Sequence, residues 1–333
     1  MKEYIVTDPT KINSLIRTAI EYGGGTIFFP NGVYGINDIT VPPGSNGLYF
    51  LGESRDGTIL QWNGQGTGVL FRLGAAATPT RSLGLYRMTL DGRIQGSNTT
   101  RIAETGIIAQ SVYESSFEDV LFRYFELDAF QAPSLFIANT IRRIKTDQIH
   151  RNGLFLGENC NANCVTSCRL EVVRARENAV TRGAGIRLQG RDSFANTIAS
   201  CVIESNDIGI DVIGPEGSNV GPQKCINVCH NHFENNQDAD IQAIGLAQPI
   251  HGLSIRNNWV TYGAAAGQRA VWLRLGGVRS TEVVANVNTK WGVEFVDRVS
   301  TLDCYFAANQ SVQFRNDFRP QYMERQPVIP LTT

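Results

Sequence analysis

A short phrase recurs along most of the chain and constrains its fold more than any other feature. Each copy has a small residue, an inward-facing aliphatic residue and an outward-facing residue, as in Gly185-Ile186-Arg187. The copies begin at Gly106, Glu126, Gly153, Gly185, Gly209, Ala239, Ala270 and Gly292, with spacings of about 21 to 32 residues. Repeats of this length are typical of solenoids, in which each repeat stacks on the next. The spacing fits one β-helix coil of three short strands joined by loops of variable length.

A second phrase precedes the copies and indicates how the coils turn. In His232-Phe233-Glu234-Asn235-Asn236 an inward aromatic residue closes a strand and a polar pair turns the corner. No helical period of ten or more residues follows residue 22, so the pattern predicts nine to eleven β coils. Stacking the copies places Asn231 above Asn257. Because successive coils lie about 4.8 Å apart, we expect these asparagines to form a buried, hydrogen-bonded ladder.

The N-terminus carries a different pattern. Asp8-Pro9-Thr10 opens an amphipathic helix in which Asp8 suits the N-cap and Pro9 the first helical position. Gly23 is a natural helix stop, and the residues that follow it, "GGTIFFPNGVY", predict a strand, a turn and a second strand. The chain is therefore expected to begin with a helix and continue as strands.

This run of helix, triple glycine and "TIFFPNGVY" resembles the entry cap of the pectate-lyase-like superfamily. The resemblance implies an all-β fold: a right-handed, single-stranded parallel β-helix with an N-terminal capping α-helix. We expect a single domain with residues 1–35 as the cap helix and first strands and 36–317 as coils. Residues 318–333 form a tail whose prolines exclude it from central strands.

Composition excludes several classes of function. A net charge of −1 argues against nucleic-acid binding, which requires an excess of Lys and Arg. No apolar run is long enough to span a bilayer, and the first residues lack the apolar core of a signal peptide. The seven cysteines do not suggest a disulfide framework, and Cys168 and Cys201 are predicted to share an inward column. No motif for a cofactor is present, so we expect no cofactor and no metal site.

The outward position of the repeated phrase defines a column on one face of the solenoid. Stacking the copies predicts that the column contains Phe155, Arg187, Asp211, Gln242, Trp272 and Glu294. Sugars favour this mixture, because their C–H faces stack on aromatic rings while their hydroxyls bond charged and amide groups. The predicted substrate-binding residues are therefore Phe155, Arg187, Gln242, Trp272 and Glu294. A solvated sheet with cross-strand pairs such as Arg187–Asp211 is the structural alternative.

Carboxylates cluster around the same coils. Asp207, Asp211, Asp238 and Asp240 are the predicted catalytic residues, because glycoside hydrolysis needs one protonated and one ionised carboxyl about 5 to 10 Å apart. Asp211 and Asp240 lie on neighbouring coils, and Asp207 and Asp238 meet at the preceding corner. A lyase would instead need a base and a cation to neutralise a uronate.

The resemblance is strongest to bacteriophage tailspike-type depolymerases, because the motifs of polygalacturonases and epimerases are absent. It implies a glycoside hydrolase that cleaves a bacterial surface polysaccharide, an extracellular or virion location, and a homotrimer. No membrane insertion is expected. Two alternatives remain: a non-catalytic glycan-binding or structural virion module, and a polysaccharide lyase that acts on a uronate polymer.

Overall fold

The computed structural model describes residues 2–64, 67–75, 78–92, 103–176, 179, 181–261, 271–288, 292–297, 301–309 and 314–315. Within them the chain is almost entirely β-strand, with one 3-10 helix (Pro9–Lys11) and one α-helix, α1 (Ile12–Glu21). The all-β prediction is therefore confirmed. The predicted C-terminal tail, residues 318–333, lies outside the described residues.

The strands are short and follow one another along the whole chain. The first eleven are β1 (Glu3–Ile5), β2 (Gly25–Phe29), β3 (Gly32–Ile36), β4 (Ile39–Val41), β5 (Leu48–Gly52), β6 (Thr58–Trp62), β7 (Val69–Leu73), β8 (Thr80–Arg81), β9 (Gly84–Asp91), β10 (Thr105–Tyr113) and β11 (Ser116–Phe125). The next eleven are β12 (Asp128–Ile137), β13 (Thr140–Arg142), β14 (Lys145–Ile149), β15 (Asn152–Glu158), β16 (Cys164–Thr166), β17 (Arg169–Glu171), β18 (Ala184–Gln189), β19 (Thr197–Ala199), β20 (Val202–Glu204), β21 (Ile208–Ile213) and β22 (Asn227–Cys229). The remaining described strands are β23 (His232–Glu234), β24 (Ala239–Ile244), β25 (Ile250–His251), β26 (Ser254–Arg256), β27 (Trp259–Thr261), β28 (Val271–Gly276), β29 (Val278–Val284), β30 (Val287–Asn288), β31 (Val293–Asp297), β32 (Leu302–Ala307) and β33 (Phe314–Arg315).

These strands stack as the coils of a parallel solenoid. One sheet, called sheet B here, is built from β4, β7, β10, β12, β15, β18, β21, β24, β28, β31 and β33 in that spatial order, with β8 beside β10. The other strands form a second sheet, sheet A, to which most coils contribute two short strands. Neighbouring strands pair in parallel with the strand one coil away, as β18 does with β21 and β21 with β24. Residues two to three dozen positions apart thus become direct neighbours.

The core consists of columns of aliphatic side chains between the sheets. Register pairs Ile186 with Ile210, Ile210 with Ile241 and Ile241 with Leu273, and all four are buried. The predicted stacking of the inward aliphatic position is confirmed for Ile186, Ile210 and Ile241, but Leu273 lies where the repeated phrase predicted Val271. Each aliphatic side chain that it removes from water contributes about 1.5 to 3 kcal/mol.

Helix α1 packs against β2, β4 and β5 at the N-terminal end of the stack, as a capping helix requires. Its buried face consists of Ile12, Ile16 and Ala19. Asp8 Oδ1 accepts a hydrogen bond from the Thr10 amide at 2.9 Å, which confirms the predicted N-cap of the helical segment. Gly23 follows the helix with a φ of +81°, a conformation that favours glycine.

Buried asparagines form ladders inside the solenoid at two positions of the coil. In one of them Asn139, Asn163 and Asn196 stack on successive coils. The side-chain oxygen of Asn163 accepts hydrogen bonds from the backbone and side-chain N–H groups of Asn139, and that of Asn196 accepts from those of Asn163, at 3.0 to 3.2 Å. A second ladder joins Asn231, Asn258, Asn286 and Asn309. The expected ladder is confirmed, but its register was wrong by one residue: Asn258 stacks on Asn231, while Asn257 is exposed.

Two buried thiols continue the second asparagine column. The backbone amide of Cys201 donates to Asn231 Oδ1 at 2.9 Å, and Cys201 stacks on Cys168 one coil away. Both cysteines are almost fully buried, at 2% and 1% exposure, which confirms that they share an inward column. Burial raises the pKa of the Cys168 thiol well above its usual value.

Candidate functional site

Sheet B presents a continuous column of outward side chains on successive coils. Its register aligns Phe155, Arg187, Asp211, Gln242, Arg274 and Glu294. The predicted column is confirmed at five of its six positions. Trp272 was the wrong sixth member, because Arg274 occupies the position opposite Gln242.

Trp272 lies in the protein interior with no exposed surface. Strand β28 pairs Val271 with Ala239 and Leu273 with Ile241, so it is displaced by two residues from the alignment that placed Trp272 on the column. The displacement could have been found in the sequence. Leu273-Arg274-Leu275 flanks a polar residue with aliphatic ones, as Ile241-Gln242-Ala243 does.

The column residues are joined into one hydrogen-bonded chain. Arg187 Nε donates to Asp211 Oδ2 at 3.0 Å, and Gln242 Nε2 donates to Asp211 Oδ1 at 3.0 Å. Arg274 Nη1 then donates to Gln242 Oε1 at 2.8 Å, and Arg274 Nε donates to Glu294 Oε2 at 2.7 Å. Five successive coils are thereby connected on the outside of the solenoid.

Asp238 joins this chain from the corner that precedes β24. Its two oxygens accept from Arg274 Nη1 and Nη2 at 3.1 and 3.0 Å. Burial works against the charge on Arg274, but the hydrogen bonds to Asp238 and Glu294 raise the pKa of the guanidinium. Arg274 is thus a fixed cation between two carboxylates, and the sequence prediction missed it.

Three of the four predicted catalytic aspartates are buried and serve other contacts. Asp207 Oδ2 accepts from the amides of Ala175 and Gly183, both at 2.8 Å, and so fastens the two ends of the segment before β18. Asp240 has no exposed surface and accepts from Asn236 Nδ2 at 2.9 Å. The register confirms the predicted two-residue offset between Asp240 and Asp211 on neighbouring coils, but the Asp240 carboxylate is buried against Asn236. Asp207 and Asp238 do meet at a corner, where the Asp238 amide donates to the Asp207 carbonyl, but their side chains have different partners.

Asp211 lies on the predicted column but is closed off from solvent. Its side chain is 2% exposed and that of Arg187 is 7% exposed. Burial raises the pKa of Asp211, while the charge of Arg187 and the hydrogen bond from Gln242 oppose that change. Its oxygens accept from Arg187 and Gln242, so Asp211 positions these two side chains and has no surface for a sugar.

Asp238 and Glu294 remain accessible, with about a third of each side chain exposed, at 32% and 33%. Because both contact the guanidinium of Arg274, their nearest oxygens are within roughly 8 Å of each other, the span of two hydrogen bonds and one guanidinium. This upper limit is compatible with the separation that a pair of glycosidase carboxyls requires. Asp238 was a predicted catalytic residue, whereas Glu294 was predicted only to bind substrate.

A groove of about 710 Å³ crosses the same face of sheet B, several coils nearer the N-terminus. Its floor includes Gln131, Phe155 and Arg187, and one wall comes from the loop that follows β21. Loops are more variable than the strands they join, so this groove could not be predicted from the repeat. The groove and the Asp238–Arg274–Glu294 cluster share one column of the solenoid.

Within the described ranges, no group of three or more His, Cys, Asp or Glu side chains is arranged to hold a metal ion. In the same part of the chain, no helix has the length and apolar character needed to cross a membrane.

Solved structures with the same architecture have very different sequences. The ORF18 protein of Geobacillus virus E2 superposes with a TM-score of 0.60 at 13% identity, covering 95% of this chain and 60% of that one. The fold is that of the pectate-lyase-like parallel β-helices. The DFA-IIIase of Arthrobacter chlorophenolicus A6 gives 0.59 at 14% identity, with 92% and 94% covered. The Dettilon tailspike protein gives 0.56 at 13% identity, with 91% and 59% covered.

This chain therefore spans about three fifths of the length of the two viral proteins. No protein-family model matches the chain, and no curated protein is significantly similar to it in sequence. Identities of 13% to 14% establish the fold that these proteins share and leave the chemistry to be argued from the site.

Proposed function

We propose that this protein binds an extended polysaccharide along the outer face of sheet B and hydrolyses it with Asp238 and Glu294. The observation that carries the proposal is the cluster around Arg274. Two carboxylates, each about one third exposed, contact one guanidinium on the outer column of sheet B. A polymer lying along the column would cross this cluster.

The two carboxylates differ in their hydrogen bonds, which assigns their roles. Asp238 accepts from Arg274 through both oxygens, which fixes its carboxylate in place for the role of base or nucleophile. Glu294 accepts from Arg274 through Oε2 only, which leaves Oε1 to carry the proton for the leaving oxygen. Gln242 holds Arg274 in place from the adjacent coil.

The fold comparisons support this class of function. A tailspike protein and a DFA-IIIase share the architecture, and both long faces of a solenoid suit an extended ligand. By analogy with the tailspike, we propose that the protein acts outside the cell or on a virion. By the same analogy, we propose that its β-helix is right-handed and that the protein assembles into a homotrimer. These assignments depend on the analogy alone.

A non-catalytic glycan-binding or virion module is the second candidate. It is favoured because Asp238 and Glu294 are both already paired with Arg274, as expected of side chains that stabilise the fold or hold a ligand without reacting. A polysaccharide lyase is the third; it needs a cation to neutralise a uronate carboxylate, and Arg274 is already paired with Asp238 and Glu294.

Release of reducing ends from a panel of bacterial capsular and O-antigen polysaccharides tests the proposal. Asp238→Asn and Glu294→Gln should each lower kcat at least 100-fold and change binding little. The control is Glu282→Gln, which removes an exposed carboxylate paired with Arg256 on sheet A. Products that absorb as unsaturated uronates would show elimination, and binding without product would favour the non-catalytic module.

A further inference from the structure

The groove on sheet B is separate from the Arg274 cluster, although both lie on one column. Three coil steps lead from Arg187, on the groove floor, to Arg274. At the spacing of neighbouring strands these steps cover roughly 14 Å. A ligand in the groove would therefore contact different residues from those that flank the proposed cleavage point.

Three arginines line the groove, and each has a carboxylate partner. Arg151 Nε donates to Asp128 Oδ1 at 2.9 Å, and its Nη2 contacts Asp128 Oδ2. Asp128 has no exposed surface, so its charge is committed to Arg151. Hydrogen bonding to Asp128 raises the pKa of Arg151 although burial opposes it.

The other two arginines are paired in the same way. Arg187 is held by the buried Asp211, with Nε and Nη2 both 3.0 Å from Oδ2. Arg191 Nε donates to Glu158 Oε2 at 3.1 Å, and both side chains are about half exposed at the rim. Glu216 adds one more carboxylate to the lining. The groove thus presents many hydrogen-bonding groups without an excess of positive charge.

We propose that this groove binds a charge-neutral stretch of polysaccharide, and that it discriminates against uronate polymers. The proposal rests on the polysaccharide-binding function argued above and adds the class of substrate. A uronate carboxylate would need an unpaired cation, and here every lining arginine is already neutralised by its partner. Neutral hydroxyls instead bond to both members of an ion pair as donor and acceptor.

Two further contacts fit a neutral sugar. Phe155 lies on the floor and offers an aromatic face for ring C–H groups. Asn152 also lines the groove and is 1% exposed. Its Nδ2 donates to Asp128 Oδ1 at 2.7 Å, which fixes the amide orientation and leaves Oδ1 buried with no hydrogen-bond donor among the described residues. A hydroxyl or an acetamido N–H satisfies such an acceptor, and a carboxylate does not.

Affinity electrophoresis in native gels tests the proposal without requiring catalysis. One set of gels contains neutral polysaccharides, namely dextran, galactomannan and neutral bacterial O-antigens, and the other contains alginate or polygalacturonate. We expect at least one neutral polymer to retard the protein with a dissociation constant at least tenfold lower than either uronate polymer. Equal or tighter binding to the uronates, or no retardation by any neutral polymer, would overturn the proposal.

Matched variants make the charge argument specific. Asp128→Asn leaves Arg151 unneutralised and should strengthen uronate binding about tenfold. Glu158→Gln does the same for Arg191 at the exposed rim, where folding is not at risk, and should strengthen it about threefold. Glu282→Gln, remote from the groove, should change neither class of binding. Uronate binding that stays the same in Glu158→Gln would contradict the charge argument.

This experiment separates the two proposals. A neutral polymer that binds but is never cleaved contradicts hydrolysis and leaves the groove assignment intact. Cleavage of alginate or polygalacturonate with binding that exceeds that of neutral polymers contradicts the groove assignment and leaves a catalytic function intact.

Discussion

The inner asparagine ladder and the outer charged column are built by the same stacking of coils but use opposite chemistry. Inside, Asn139, Asn163 and Asn196 repeat one neutral amide, which serves as both donor and acceptor at every step. Outside, Arg187 and Asp211 alternate in charge, so that neighbours at coil spacing attract. Like charges at that spacing would repel, whereas like amides bond.

The difference shows what each environment permits. A buried position must satisfy every donor and acceptor, and a ladder of identical amides does so without any charge. The outer column can carry charge because ions there pair with each other or with water. Arg187 and Asp211 are the exception on the outer column, because they are charged and also buried. Substitutions at this pair therefore give the most direct test of the contrast between the two columns.

The largest effect is expected from removing a rung of the inner ladder. Asn163→Ala leaves the Asn139 backbone amide buried without its acceptor, Asn163 Oδ1 at 3.1 Å. It also removes the hydrogen bonds from Asn163 Nδ2 to the Phe136 carbonyl at 2.7 Å and to Asn196 Oδ1 at 3.0 Å, although the Phe136 carbonyl still accepts from the Asn161 amide. The free energy of unfolding should fall by about 4 kcal/mol, from 1 to 3 kcal/mol for the unsatisfied amide and about 1 kcal/mol for each of the other two hydrogen bonds. Urea denaturation measures this loss. The control is Asn257→Ala on the exposed corner, and an equal loss in both variants would refute a special role for the ladder.

Breaking the buried ion pair should come next. Arg187→Met leaves the Asp211 carboxylate buried with Gln242 as its remaining partner, at a cost of about 3 kcal/mol at pH 7. Because protonation of Asp211 removes the uncompensated charge, the loss should be smaller at pH 5. Urea denaturation of both proteins at pH 7 and pH 5 measures this loss of stability. The same loss at both pH values would show that the buried charge of Asp211 does not cause it.

The pH dependence of the native protein gives a smaller effect with a definite sign. Burial raises the pKa of Asp211, so the folded protein holds this proton at a higher pH than the unfolded chain, whose aspartates titrate near ~3.9. The contribution of Asp211 to stability therefore decreases as pH rises from that value to its folded pKa, and is constant above it. Asp211→Asn should flatten this part of the stability curve, which begins near pH 4 and extends upward. If the curves of unfolding free energy against pH for the native protein and for Asp211→Asn are superimposable, the raised pKa of Asp211 is contradicted.

The smallest effect is expected on the exposed surface of sheet A. Arg169 is 56% exposed and bridges Glu171 and Glu204 at 2.7 and 2.8 Å. Arg169→Met should lower the free energy of unfolding by less than about 1 kcal/mol, because water and salt screen exposed pairs. A loss as large as that of Arg187→Met would show that burial is not what separates the two columns.

The regular part of this fold could be predicted from sequence, because each coil repeats the same inward and outward positions. Gly209-Ile210-Asp211 placed Ile210 in the core and Asp211 on the outer column, as the structure has them. The burial of Asp211 could not be predicted, since it depends on segments outside the repeat. Trp272 was misplaced for a related reason, because the interval before β28 has its own length and shifts the register by two residues.

The buried aspartates beneath the groove have one more consequence. Asp128 and Asp211 hold Arg151 and Arg187 in fixed rotamers before any ligand arrives. Immobilising such a long side chain on binding costs about 0.5 to 1.5 kcal/mol of conformational entropy. Both arginines are already immobilised in the folded protein, so ligand binding does not incur this cost for either of them. Even a weakly polar sugar would therefore bind to arginine side chains that are already in their bound conformation.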